Sequence, residues 1–268
     1  MSKLIDLLDK TTEASSPPLG FGAASGRIAT NPPIVLIGQA SADEVNGDSA
    51  LAESKADAVL VTMTSLDNNA LDGVQKALKD RLWGVRVGAL SEEQAAQLKE
   101  KGCDFVVFDP ENTAAAVLND QDLGSIIAVS ADLDEETGGA ITGLSLDAAI
   151  YAPGESLLPL TVQRLIEVQL VRDLVGKHFI ISIPAGMTTS DLEALKSAGI
   201  AGMVMNLSSH EDIAKAKEAI SRIPRRRPKS RDRGRYSAQV PTAGFVAASQ
   251  QEVPDIPDIP DDDDEDDE

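Results

Sequence analysis

Arg86 and Asp109 are the residues whose type and position best suit chemistry, each lying at the end of a short β-type run, Trp83–Val87 and Phe105–Asp109. Period-two alternation puts Trp83, Val85 and Val87 on one face of the first run and Gly84, Arg86 and Gly88 on the other. Bulky apolar groups suit a face covered by helices, so Arg86 is expected to point to the inside of its sheet. There its guanidinium could hold a carboxylate or phosphate, with Asp109 from the neighbouring run as general base. The same pair reads equally as a buried ion pair closing the interior, because each charge is costly alone. By the same alternation Gln39, Thr62, Ser130, Asp132, Ser182 and Asn206 are expected to rim the same end. Asp109, Glu111 and Asp132 offer oxygen ligands of the kind magnesium takes. Carboxylates are plentiful at loop starts in so acidic a chain, so no cofactor is expected and magnesium is the one metal left open.

Other chemistries are excluded by residue type. No lysine lies at the C-terminal end of a β-run, which argues against Schiff-base and pyridoxal-phosphate enzymes. His178 and Cys103 stand at the wrong end of their runs for catalysis and are expected to be structural, and His210 reads as a surface residue at a helix start. No zinc spacing, phosphate loop or Ser/His/Asp arrangement is visible. Only six aromatics precede residue 224, and Tyr151 alone ends a run near the presumed site, so a stacking pocket has little to build on.

These residues must be positioned by eight β-rich runs: 34–38, 58–62, 83–87, 105–109, 126–130, 148–152, 179–183 and 202–206. Their starts are 24, 25, 22, 21, 22, 31 and 23 residues apart. Continuous apolar runs are expected of parallel strands covered on both sides. Ser91 to Gln94 and Ser190 to Glu193 have capping-box spacing, and Gly102, Gly176 and Gly199 stand where helices need a left-handed end. In the helix predicted from Thr161 to Val175, Val162, Leu165, Ile166, Leu170 and Leu174 share one face. Eight βα units at this pitch predict a (β/α)8 TIM barrel over residues 34–223, whose site lies at the C-terminal ends of its strands. An open doubly wound sheet fits less well, because no G-x-G-x-x-G turn follows the first run. Residues 1–33 are expected to add a helix, Leu4–Lys10, packed on the barrel, with Leu19–Ala24 as a possible extra strand.

The stretch from Ile183 to Asn206, with Pro184-Ala185-Gly186, Asp191-Leu192 and Ala198-Gly199, resembles the closing units of phosphate-binding TIM barrels. That group includes the indole-glycerol-phosphate, phosphoribosyl-anthranilate and thiamine-phosphate enzymes. The resemblance implies a phosphate turn at Gly186 and further donors at Ser208 and Ser209, anion capture by backbone N–H groups being its physical basis. Two positions depart from the pattern: Ala185-Gly186 replaces a paired glycine, and Asn206-Leu207-Ser208-Ser209 replaces Gly-Ser. The likeness covers about 30 residues and singles out no specific family.

The chain has 268 residues, 24 basic and 44 acidic, for a net charge of −20. Residues 224–268 combine a basic run, Arg225–Arg235, with a terminal acidic run, Asp261–Glu268; they net −5, leaving −15 on the remainder. That tail, poor in large apolar groups, is expected to be disordered. An acidic body repels nucleic acid and anionic membranes, so neither is an expected partner, although the basic run keeps an anionic partner open. One cysteine, no run of ~20 apolar residues and no signal-type start make the expected location cytoplasmic. Two functions follow: a lyase or isomerase for a small phosphorylated metabolite, or a catalytically degenerate barrel that binds partners through its charged tail. Fold analogy tilts the balance to the enzyme.

Overall fold

Eight parallel strands pair in chain order and close, β8 returning to β1. They are β1 (Val35–Ser41), β2 (Ala58–Thr62), β3 (Trp83–Val87), β4 (Phe105–Phe108), β5 (Gly124–Val129), β6 (Ala148–Tyr151), β7 (His178–Ser182) and β8 (Gly202–Asn206). The structure is a computed structural model that describes residues 2–13, 32–47, 54–153, 157–207 and 210–223. Its helices are α1 (Lys3–Glu13), α2 (Ala42–Gly47), α3 (Asn68–Ala77), α4 (Glu92–Glu100), α5 (Glu135–Gly143), α6 (Val162–Val175), α7 (Thr189–Ser197) and α8 (His210–Ser221). Between β4 and β5 two 3-10 turns, Pro110–Asn112 and Ala115–Asn119, take the place of a helix. The fold is a (β/α)8 barrel. No described helix is long and apolar enough to cross a membrane. The predicted strand Leu19–Ala24 and the tail 224–268 lie outside the described residues.

Alternation along each strand divides the apolar groups into two cores. Val35, Ile37, Leu60, Phe105, Ile126, Ile150, Ile180 and Val204 fill the barrel, while Leu36, Val61, Val85, Val106, Ile181 and Met203 pack outward beneath the helices. Phe105 is wholly buried, and Gly84 on the adjacent strand makes room for it: a Cβ there would overlap the Phe105 ring and carbonyl oxygen.

Helix α1 closes the N-terminal end. Leu4, Ile5 and Leu8 enter the inner core, where each fully buried leucine contributes roughly 2–3 kcal/mol. Asp104, just before β4, accepts from Ser2 Oγ (2.6 Å) and from the backbone N–H groups of Lys3 (2.9 Å) and Leu4 (3.0 Å). It thereby satisfies donors that a helix start leaves without intrahelical partners. Asp9 on α1 lies 2.8 Å from His178 Nε2 at the start of β7. Aspartates precede two further even-numbered strands: Asp57 accepts from the Leu36 N–H (2.9 Å), and Asp147 from the Ser125 N–H (2.8 Å). Asp57 also pairs with Lys217 of α8.

Local signals differ in how well they fare. The Ser91–Gln94 capping box forms, and Gly102, Gly176 and Gly199 have φ of +83°, +61° and +91°. The cap predicted at Ser190 moves back two residues: Thr188 caps α7, with Asp191 as its reciprocal partner. The apolar face predicted on α6 is covered only in part, with Leu165 packed against the outer core and Leu174 half-buried. Val168, Val171 and Val175 are buried, whereas Val162, Ile166 and Leu170 are exposed. The helix is apolar on two opposite sides, and helical spacing alone cannot say which side faces the barrel.

Candidate functional site

The C-terminal end of the barrel is built from the last inward position of each strand. On β3 the outward Trp83, Val85 and Val87 belong to the outer core, leaving Arg86 on the inner face. Arg86 pairs in register with Thr62 on β2 and Val107 on β4. Gln39 Nε2 donates to Thr62 Oγ1 at 3.2 Å, so one amide and one hydroxyl are fixed beside the arginine. Ser182 ends β7 half-buried on the inner side, and Asn206 ends β8 exposed.

Arg86 is half-buried, and its guanidinium makes no hydrogen bond or ion pair among the described residues. The expected ion pair with Asp109 does not form. Strand β4 stops at Phe108, and Asp109 is already the residue before the Pro110–Asn112 turn, with Thr113 Oγ1 donating to its carbonyl at 2.9 Å. Its carboxylate is exposed and makes no hydrogen bond among the described residues. The two side chains therefore share an end of the barrel without bonding to each other.

Other carboxylates at this end are engaged. Glu44 accepts from the Ser41 N–H (2.7 Å) and hydroxyl (2.8 Å), which hold its carboxyl below the usual range. Asp134 caps α5 through the Thr137 N–H (2.7 Å), and that bond lowers its pKa. Asp191 accepts from the Thr188 N–H at 3.0 Å and hydroxyl at 2.7 Å. Among the described residues no group of three acidic, histidine or cysteine side chains could hold a metal ion, so Asp109, Glu111 and Asp132 do not form an oxygen cage.

Gly186 turns the chain between β7 and α7 at φ +88°, a conformation other residues adopt only with strain. It is exposed, and a cavity of about 130 Å³ lies behind it between Pro184, Met187, Leu192 and Met205. The Thr188 N–H is already bonded to Asp191, so α7 brings fewer free donors to an anion than its position suggests. Ser208 and Ser209, the other expected phosphate donors, lie outside the described residues.

Residues set aside from the sequence behave as structural groups. Cys103 is buried, donates to the Phe105 carbonyl at 3.2 Å, and has its thiol pKa pushed up to about 12 by burial. His178 faces α1, and His210 opens α8 on the surface. Tyr151 is not at the mouth. It points outward, stacks on Phe179 with ring centroids 6.1 Å apart, and has its phenol pKa raised by burial. Sequence reasoning missed the row of aspartates before β2, β4 and β6. The recurring Asp at these strand starts was visible, but its partners lie on other elements.

No known family's sequence profile matches the chain, and no curated protein does. Solved structures do match it. A mutant tryptophan synthase α-subunit from the hyperthermophile Pyrococcus furiosus aligns with TM-score 0.54 and 10% identity, over 70% of this chain and 97% of that one. Thiamine phosphate pyrophosphorylase from Pyrococcus furiosus aligns with TM-score 0.50 and 15% identity, over 71% and 95% of the two chains. At these identities the likeness shows the shared barrel fold.

Proposed function

We propose that the C-terminal end of the barrel binds a small phosphorylated metabolite and acts on it as a lyase or isomerase. The observation that carries this reading is Arg86: a permanently charged, forked donor on the inner face whose bonding capacity nothing in the described protein uses. In this reading Arg86 holds the anionic group of the ligand, and the Gln39–Thr62 pair orients a neighbouring oxygen. Asp109 removes a proton from the bound metabolite. Gly186 and Asn206, with Ser208 and Ser209, supply a second anion subsite. The solved barrels named above, one of them a thiamine phosphate pyrophosphorylase, support the reading by analogy.

A thermal-shift screen of orthophosphate and sugar phosphates tests it. A ligand at 100 times its Kd adds about 2.7 kcal/mol to the folded state, enough for a shift of several degrees. Arg86→Ala and Gly186→Asp are expected to lose the shift. Equal shifts in both variants, or no shift with any phosphorylated compound, would remove the phosphate reading.

A second reading, a barrel that binds without reacting, is favoured by the surroundings of Asp109, which is exposed and, among the described residues, hydrogen-bonded to no second acid–base side chain. A ligand that shifts the melting temperature yet is recovered unchanged after prolonged incubation would favour it. In that case residues 224–268 are the contact for a protein partner, and deleting them is expected to abolish capture of that partner in a pull-down.

A further inference from the structure

Thr62 stands beside Arg86 with its proton unused. Gln39, Thr62 and Arg86 lie on the inner faces of three consecutive strands, and all three are half-buried. Gln39 and Thr62 follow, two residues on, the inner-core side chains Ile37 and Leu60. The Gln39 amide donates to Thr62 Oγ1 at 3.2 Å, the hydroxyl's only hydrogen bond among the described residues. A hydroxyl has one proton and two lone pairs. With Gln39 on a lone pair, the Thr62 proton is left for an acceptor that the described protein does not supply. On its other side Arg86 pairs in register with Val107, which is apolar and buried in the inner core. Thr62 is thus the polar register neighbour of the guanidinium. Gly88, the next position on the Arg86 face, is exposed, and a Cβ there would meet nothing within 4 Å. Strand β3 therefore puts no side chain of its own over the arginine.

We propose that Thr62 is the second donor of the Arg86 subsite, that Gln39 fixes its direction, and that the group they hold is phosphoryl rather than carboxylate. The proposal rests on this end of the barrel being an anion site. Neighbouring strands lie ~4.8 Å apart, so Thr62 and Arg86, in register on one face, reach a single bound group together. The guanidinium fork takes two oxygens of that group. A carboxylate has no oxygen beyond those two, whereas a phosphate monoester presents a third terminal oxygen to the Thr62 proton. Gln39 acts through Thr62 as a positioning residue. Because its amide donates, the hydroxyl is free to donate in turn; an acceptor in the same place would consume the proton and turn a lone pair toward the anion.

Calorimetric titration of the full chain with glycerol phosphate and with glycerate, probes that differ in the anion, tests the proposal. Wild type is expected to prefer glycerol phosphate. Thr62→Val, which removes the hydroxyl at nearly constant shape, is expected to raise the Kd for glycerol phosphate at least ~10-fold and to change that for glycerate little. Thr62→Ser keeps the donor and is expected to retain most of the affinity. Gln39→Met is expected to weaken glycerol phosphate in the wild-type background and to add nothing in Thr62→Val, because the two residues act as one unit. If Thr62→Val fails to fold, Thr62→Ala takes its place. Binding that is lost in Arg86→Ala but unchanged in Thr62→Val overturns this inference and leaves the anion site standing. So does glycerate bound as tightly as glycerol phosphate, or an equal loss in Thr62→Ser, which would make Thr62 a packing group. An equal effect of Gln39→Met in both backgrounds overturns its positioning role. No binding of glycerol phosphate overturns the inference and, with no thermal shift from any phosphorylated compound, the anion site as well.

Discussion

At the N-terminal end of the barrel Asp57, Asp104 and Asp147 each accept backbone N–H groups, and His178 meets Asp9. At the C-terminal end Arg86 and Asp109 have side chains that nothing described in the protein bonds. Both ends use charged residues at strand termini, and both are bordered by the same inner apolar layer. The difference is that one end uses its aspartates to hold α1 and the strand starts, while at the other Glu44, Asp134 and Asp191 bond only within their own loops and helix starts and Arg86 and Asp109 bond to nothing described. In a parallel barrel that division separates stability from function.

Breaking the closed end should cost most. Leu8 is wholly buried between α1 and the inner core, so Leu8→Ala is expected to lose about 3 kcal/mol by transfer and cavity formation, read from urea denaturation. Asp104→Ala leaves a hydroxyl and two backbone N–H groups without their acceptor and is expected to cost about 2 kcal/mol. Its counterpart at the open end is Asp109→Ala, expected within ~0.5 kcal/mol of wild type because no bond is lost. Equal costs for the two aspartates would erase the contrast between the ends.

Arg86→Ala sharpens the contrast from the other side. Removing a charge that is paired with nothing among the described residues should leave stability within ~0.5 kcal/mol while abolishing the thermal response to phosphate compounds. Arg86→Lys keeps the charge but loses the fork, so part of the response is expected to remain. A large loss of stability in ligand-free Arg86→Ala would instead assign the residue to the fold.

Much of this was legible in the sequence because a barrel strand is short, apolar and regularly spaced. The bounds of β2, β3 and β8 are those of the apolar runs at 58–62, 83–87 and 202–206. The inward direction of Arg86 could be read because three bulky neighbours fixed the outward face. Its relation to Asp109 could not, since contact between neighbouring strands depends on where each one stops, and β4 stops one residue early. Nor could Asp104's role be read, because its donors lie about 100 residues away in the chain. For α6 the spacing shows apolar residues on one face but not which side the barrel covers, since two apolar faces satisfy the same period.

The smallest expected effect concerns pH at the closed end, where Lys99 of α4 bridges Asp120 (3.0 Å) and Asp122 (2.9 Å) just before β5. A hydrogen bond from Lys99 is the largest of the influences that hold the Asp122 carboxyl at about 2, below the ~3.9 of an unfolded aspartate. A group with a depressed folded pKa contributes stability above its unfolded value, and that contribution is lost as pH falls through the folded one. The pair is exposed, Lys99 by 42% and Asp122 by 63%, so solvent and salt screen it strongly. Lys99→Met should therefore lower the denaturation midpoint slightly at pH 7 and low salt. The gap from wild type should narrow between about pH 4 and pH 2 and shrink in 1 M salt. A gap that persists unchanged at pH 2 would show that Lys99 acts through the packing of its alkyl chain, leaving the closed end to its backbone-bonded aspartates.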